Sequence, residues 1–74
     1  MGYRVNWKIE PFYTDQYIRI HRIFNQQPKA CRFEGMKDFS DFETEEEAVK
    51  EMKNRGIKQY RHCEFCWDGL VKDV

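Results

Sequence analysis

The chain has 74 residues, of which 13 are basic, 13 are acidic and 16% are aromatic. A chain this short forms one domain at most, and burial of its aromatic rings can supply a core, so we expect residues 1–74 to form a single compact domain. Residues 1–37 carry seven basic and three acidic side chains (+4) and residues 38–74 six basic and ten acidic (−4), so overall neutrality argues against binding nucleic acid through bulk positive charge. No apolar run reaches the roughly 18 residues of a membrane helix and no signal-peptide core is present, so we expect a cytoplasmic protein without a membrane partner.

Two alternating segments predict a β-hairpin near the amino terminus. Apolar and polar residues alternate over residues 3–10 and again over residues 17–21, which is typical of half-buried strands. A turn lies between them. We expect the pairing that puts every apolar side chain on one face, which is Ile9 with Ile18 and Trp7 with Ile20.

The following segments predict a third strand, a loop and a helix. Residues 29–35 can return as a strand that places Phe33 opposite Ile20, whereas residues 36–42 have an irregular pattern and are predicted as a loop. Thr44 followed by Glu47 is a capping box, which predicts a helix over residues 45–55. Gly56 is expected to end it in the left-handed conformation.

The last part of the chain predicts a longer strand and a short edge strand. Residues 57–67 alternate, and Asp68-Gly69 is a turn signal before residues 70–74. The order β-β-β-α-β indicates an α+β fold, with a small antiparallel sheet of three to five strands and one helix packed on one face. We expect one core between helix and sheet, formed by Trp7, Ile9, Ile18, Ile20, Phe33, Val49, Met52 and Phe65.

A cysteine pair is the sharpest chemical motif. Cys63 and Cys66 have the Cys-x-x-Cys spacing that forms half of many tetrahedral zinc sites, and three cysteines in total favour thiols or a metal over disulfides. Cys31 and His21 are the residues left for a second half, but the predicted register puts Cys31 on the core face and His21 on the solvent face. We therefore expect no metal and no cofactor, and retain as candidate ligands Cys63, Cys66, His62 and Cys31.

A basic surface is predicted on the side of the sheet away from the helix. Such a surface can meet an acidic protein or, because it carries an aromatic ring, stack bases and contact phosphates; it can also be an ordinary solvated face. We assign to a partner-binding site the residues Arg4, Lys8, Tyr17, Arg19, His21 and Arg32. The acidic run over residues 43–47 is largely explained by helix capping, with a phosphate-mimicking role as the alternative.

No arrangement typical of catalysis is present in the sequence. Ser40 is the one serine and has no patterned histidine or aspartate near it, and there is no glycine-rich phosphate loop. We expect a non-enzymatic protein-binding module; the alternatives are a nucleic-acid-binding module that uses the basic face and a small structural zinc domain. In size and layout alone the chain resembles small accessory proteins of phages and mobile elements, and this resemblance implies an inhibitor of a larger host protein.

Overall fold

The structure, a computed structural model, describes residues 2–74 as a five-stranded sheet with one α-helix packed on it. The predicted α+β class is confirmed. Two short 3-10 turns, Lys29–Cys31 and Phe33–Gly35, lie between the second and third strands. In chain order the elements are β1 (Tyr3–Asn6), β2 (Ile18–Arg22), β3 (Phe39–Phe42), α1 (Glu45–Asn54), β4 (Gln59–His62) and β5 (Val71–Asp73).

The sheet is mixed rather than wholly antiparallel. Its strand order is β3-β1-β2-β4-β5. Strands β2 and β4 run parallel, whereas the other three neighbouring pairs are antiparallel. The parallel pair arises because the chain leaves β2, forms β3 beyond β1 and crosses back through α1 before it enters β4, and parallel neighbours need such a crossover.

The hairpin of β1 and β2 has the predicted faces but a different register. Val5, not Trp7, lies opposite Ile20. The Trp7 N–H donates instead to the Asp38 carbonyl at 2.8 Å, and its indole N–H donates to the Ser40 hydroxyl at 2.9 Å. Trp7 is therefore held at the β3 side, and the shift of two residues leaves each side chain on its predicted face.

The predicted third strand does not form. Residues 29–35 make two 3-10 turns joined by Arg32, whose φ of 55° lies in the left-handed region that a strand does not contain. The third strand in the chain is instead β3, within the segment predicted as a loop. It pairs with the edge of β1 that β2 leaves free and places Ser40 opposite Val5.

The helix agrees with its sequence signals. The Thr44 hydroxyl oxygen accepts from the Glu47 N–H at 3.2 Å, and the hydroxyl donates to the Glu47 carboxylate at 3.2 Å. Gly56 follows the helix with the predicted left-handed conformation, at φ 79°. Among residues 2–74, no helix is long and apolar enough to cross a bilayer.

Helix α1 covers one face of the sheet and encloses the main core, which consists of Val5, Ile18, Ile20, Ala48, Met52 and Tyr60. The predicted core residues Trp7, Ile9 and Val49 pack at its edge, half-buried. For two residues the prediction of a core position is wrong. Phe65 is 58% exposed, because the chain turns after β4, and Phe33 packs on the opposite side of the sheet.

The opposite face is covered as well. The chain between the strands folds back over it, so that Phe33 lies 4.6 Å from the Arg4 guanidinium and the Tyr13 ring 4.4 Å from that of Arg19. Arg19 and His21 are each only 2% exposed. The prediction of a solvent-exposed basic face is therefore wrong for these two residues.

Candidate metal centre

Four side chains from three parts of the chain meet on the face opposite α1. His21 comes from β2, Cys31 from the first 3-10 turn, and Cys63 and Cys66 from the segment after β4. Their ligand atoms all lie within 4.8 Å of one another. We refer to these four residues as the Cys3His cluster.

A turn after β4 brings Cys63 and Cys66 together. The Cys63 N–H donates to the Ile20 carbonyl at 2.9 Å, which fixes the start of the turn beside β2. The Phe65 N–H then donates to Cys63 Sγ at 3.4 Å. The predicted strand is thus wrong beyond His62. Because the chain turns there, both thiols point to the same side, whereas a continuing strand would have placed them on opposite faces.

The other two ligands arrive from β2 and from the 3-10 turns. His21 projects from β2 on the face opposite Ile20, as predicted, but into a covered space rather than solvent. Arg32 adopts the left-handed conformation directly after Cys31, and Phe24 and Phe33 pack against the three cysteines.

The spacing of the cluster suits a tetrahedral metal site. The three cysteines are free, and Sγ of Cys31 lies 3.7 Å from Sγ of Cys63, far beyond the ~2.05 Å of a disulfide. Two thiolates on one zinc ion lie about 3.8 Å apart when each Zn–S bond is about 2.3 Å. Sγ of Cys66 lies 3.9 Å from Nδ1 of His21. The most widely separated ligand atoms would need to move about 1 Å closer together to surround one zinc ion with four ligands.

Each sulfur of the cluster accepts one N–H. The donors are the Phe65 amide to Cys63 at 3.4 Å, the Arg22 amide to Cys66 at 3.3 Å, and the Gln27 side-chain amide to Cys31 at 3.5 Å. Metal ligands are commonly held and tuned by such outer hydrogen bonds, and N–H donors stabilise the negative charge of a thiolate. Each of these N–H groups is therefore placed to stabilise a thiolate at its sulfur.

His21 is a buried imidazole whose hydrogen bonding is incomplete. Nε2 has no hydrogen-bond partner among residues 2–74, and Nδ1 faces Cys66 Sγ. Buried polar groups are nearly always paired, so the unpartnered Nε2 is an exception. Nδ1 is the nitrogen that a cation shared with the three sulfurs would bind, and such a metal would leave Nε2 without a partner among these residues.

The three thiols differ in acidity. The hydrogen bond from Cys66 lowers the pKa of Cys63 against the opposing effect of burial, and His21 adds to the lowering. The same hydrogen bond raises the pKa of Cys66, and burial raises that of Cys31. Zinc binding replaces thiol protons, so the raised pKa values of Cys66 and Cys31 would work against it.

His62, a candidate ligand from the sequence, lies away from the cluster. Its Nε2 is 2.9 Å from a Glu45 carboxylate oxygen and its Nδ1 2.7 Å from one of Asp68, and its ring stacks on Trp67 at 3.6 Å. Both nitrogens are thus engaged on the helix side of the sheet. The histidine of the cluster is therefore His21 and not His62. His21 was not retained as a candidate ligand because it was expected to face solvent.

The residues assigned to partner binding fall into different environments. Arg19 pairs with Asp15 at 2.6 Å and Arg4 with Asp41 at 2.7 Å. Tyr17 is half-buried and His21 belongs to the cluster. Two of the six are exposed, Lys8 and Arg32. The assumed continuous basic surface is therefore reduced to separate charges.

The sequence did contain one sign of the complete cluster. It has three cysteines and two histidines, so without His62 the three cysteines and His21 make up the four ligands of a tetrahedral site.

Comparison of the chain with protein-family models, characterised proteins and solved structures finds no match, so a functional assignment rests on this geometry.

Proposed function

We propose that this chain is a small zinc-binding domain in which the Cys3His cluster holds one structural Zn²⁺. The observation that supports it is the convergence of three cysteines and one histidine, each at most 5% exposed, with ligand atoms within 4.8 Å. Thiolate and imidazole are the ligands that zinc prefers. The sequence led us to expect no metal; the proposal instead adopts the alternative of a small structural zinc domain.

The ligand set favours a structural over a catalytic metal. Four protein ligands fill a tetrahedral shell, whereas catalytic zinc keeps one position for water or substrate. Burial of all four residues also keeps substrate from the metal. Both points support a non-enzymatic protein, and a cytoplasmic location would keep its thiols reduced.

In this proposal the domain acts by binding a larger protein, as an inhibitor from a phage or mobile element would. Exposed apolar residues on and after the cysteine turn support protein contact: Phe65 is 58% exposed and Leu70 53%. Apolar and aromatic anchors of this kind carry much of the affinity of protein interfaces. Nucleic-acid binding has less support, because carboxylates already pair with Arg4 and Arg19.

Metal analysis tests the zinc site. Protein made without a metal-binding tag and purified without chelator is expected to contain one zinc per chain by plasma mass spectrometry. His21→Ala and Cys66→Ser should each lose most of it, whereas the matched control His62→Gln should retain it. Zinc-free wild-type protein that also takes up no added zinc would contradict the proposal, as would equal loss in the His62 variant.

Capture from lysate tests the binding role. Tagged protein should retain a protein partner after nuclease treatment, and Phe65→Asp should weaken this capture. Lys53→Asp, at an exposed position of α1, is the control and should not. Loss of the partner on nuclease treatment would instead favour the nucleic-acid alternative.

A further inference from the structure

We infer that the metal works as a clasp for one segment of the chain. Residues 24–37, here called the strap, are held across the sheet through Cys31 and detach when zinc is removed, while the core between α1 and the sheet stays folded. The inference rests on the proposed zinc site and adds a conformational consequence to it.

Main-chain hydrogen bonds fasten the chain on both sides of the strap but not within it. The Ile23 N–H donates to the Gly2 carbonyl at 2.9 Å, and the Asp38 carbonyl accepts from Trp7 at 2.8 Å. Between these points the main-chain bonds are local and close the two 3-10 turns. Within residues 2–74, no main-chain hydrogen bond joins the strap to a strand or to α1.

The packing of the strap centres on the sulfurs. Its buried residues are Cys31 and Met36, and Met36 lies just before the point fastened at Asp38. Phe24 and Phe33 are half-buried against the cysteines. An open groove of about 690 Å³ is lined entirely by strap residues between positions 27 and 35. Away from the cluster, the strap is held by single side-chain contacts. The Gln27 side-chain N–H donates to the Arg22 carbonyl at 2.9 Å, and the Phe33 ring lies 4.6 Å from the Arg4 guanidinium. The Arg32 guanidinium lies 4.1 Å from the Phe12 ring, which belongs to a loop.

The other three ligands are held in place without a metal. His21 is part of β2, and the Cys63 N–H is bonded to the Ile20 carbonyl at 2.9 Å. The Arg22 guanidinium donates twice to the Cys66 carbonyl, at 2.9 and 2.7 Å. Cys31 is thus the one ligand whose position depends on the strap, and a metal would join it to a preformed set of three.

The main core does not depend on the cluster. It lies between α1 and the opposite face of the sheet and contains none of the four ligands. Elements with their own buried contacts open separately from weakly anchored segments. Zinc removal should therefore release the strap rather than unfold the whole chain, unlike small zinc fingers that fold only with metal.

Limited proteolysis of the full chain tests the clasp, because trypsin cleaves after Lys and Arg. The strap contains the exposed residues Lys29, Arg32 and Lys37, and α1 contains Lys50 and Lys53. Zinc-loaded protein is compared with protein stripped of zinc and exchanged into metal-free buffer. We expect cleavage in the strap to accelerate at least about 10-fold and cleavage in α1 to change less than about 2-fold, as for local opening.

Variants separate the clasp from the site itself. In the presence of added zinc, Cys31→Ser should reproduce the fast strap cleavage, and its three remaining ligands should bind the added metal with lower affinity than wild type, as in His21→Ala. Ala30→Ser, at the exposed neighbouring position, should behave as wild type. Equal acceleration at all sites, or none in the strap, in a protein that does bind zinc would overturn the clasp and leave the zinc site standing. A protein that takes up no zinc would instead remove the proposed function.

Discussion

At the scale of single residues, Arg19 shows how tertiary surroundings change the role of a side chain. Arg19 alternates with apolar residues along β2, and this pattern predicts an exposed charge. Its guanidinium is instead buried on the Tyr13 ring and paired with Asp15 at 2.6 Å and Glu64 at 3.3 Å. Without this guanidinium, Glu64 would lose its partner Arg19, whereas Asp15 would still pair with Arg61.

Replacing Arg19 by Met should lower the free energy of unfolding by about 1–3 kcal/mol, the usual effect of losing hydrogen bonds to charged groups, because the partners that remain are partly exposed. Lys8, whose side chain is 62% exposed, provides the control, and Lys8→Met should change stability by less than about 0.5 kcal/mol. Urea denaturation followed by tryptophan fluorescence measures both. Equal effects would mean that Arg19 is solvated in solution.

Asp15 gives the same network a dependence on pH. Partial burial would raise the pKa of its carboxyl, but hydrogen bonds from Arg19, the Tyr17 amide and Arg61 outweigh it and lower the pKa to about 2. A lowered pKa in the folded state means that the stabilisation is present above the ordinary value of 3.8 and is lost as the pH falls toward 2.

Asp15→Asn should thus cost about 1–2 kcal/mol at neutral pH, allowing for solvent screening, and the variant should lose less stability than wild type between about pH 4 and pH 2. Asp38→Asn, at an exposed carboxylate, is the control. Thermal unfolding across this pH range is the measurement. Parallel pH profiles for wild type and Asp15→Asn would contradict the assignment.

At the scale of elements, helix and strap represent two ways to order a segment. Helix α1 has its own main-chain bonds, a cap and a buried stripe of Ala48 and Met52. Ordering the strap costs about 1–2 kcal/mol per residue, whereas each of its half-buried phenyl rings returns at most about 1.5–3 kcal/mol. A structural zinc ion contributes about 10–16 kcal/mol in small peptides, so a metal bound at the proposed site would be the term large enough to hold the strap.

The helix cap can be tested without any reference to metal. Thr44→Ala removes the oxygen that accepts the Glu47 N–H at 3.2 Å and should destabilise the protein by about 0.5–2 kcal/mol. Thr14→Ala, at an exposed loop position, should be close to neutral. Chemical denaturation compares the two. A neutral Thr44→Ala would show that another group satisfies the first turn.

At the scale of the whole molecule, the sheet separates two cores of different chemistry. One is apolar and shared with α1, and the other contains the sulfurs of Cys31, Cys63 and Cys66. Because distant, independent sites add in their effects on stability, a change in the first core should cost the same whether or not the second holds zinc.

Met52→Ala tests this independence. Met52 is fully buried in the main core, so the substitution should lower stability by about 2–5 kcal/mol. The loss should agree within about 0.5 kcal/mol between zinc-loaded and stripped protein. Lys53→Ala, an exposed neighbour on α1, is the control. A loss that doubles on zinc removal would show that the two cores unfold as one.

The sequence by itself determined the local features of this protein. Alternation determined which side chains of β1 and β2 share a face, although the first strand ends at Asn6 and not at Glu10 as predicted. Thr44 and Gly56 determined where the helix starts and ends. Each of these depends on side-chain direction or hydrogen bonds within a few residues, which composition and spacing express directly.

Only the tertiary structure decided the rest. The register of β1 depends on Asp38 and the burial of Arg19 on the chain folding back with Tyr13. The Cys3His cluster depends on two turns and two strands that bring distant parts of the chain together. Alternation predicts directions along a single strand, whereas a site of this kind depends on where separate turns place their side chains in space. That is set by hydrogen bonds between residues far apart in the chain, which no local pattern encodes.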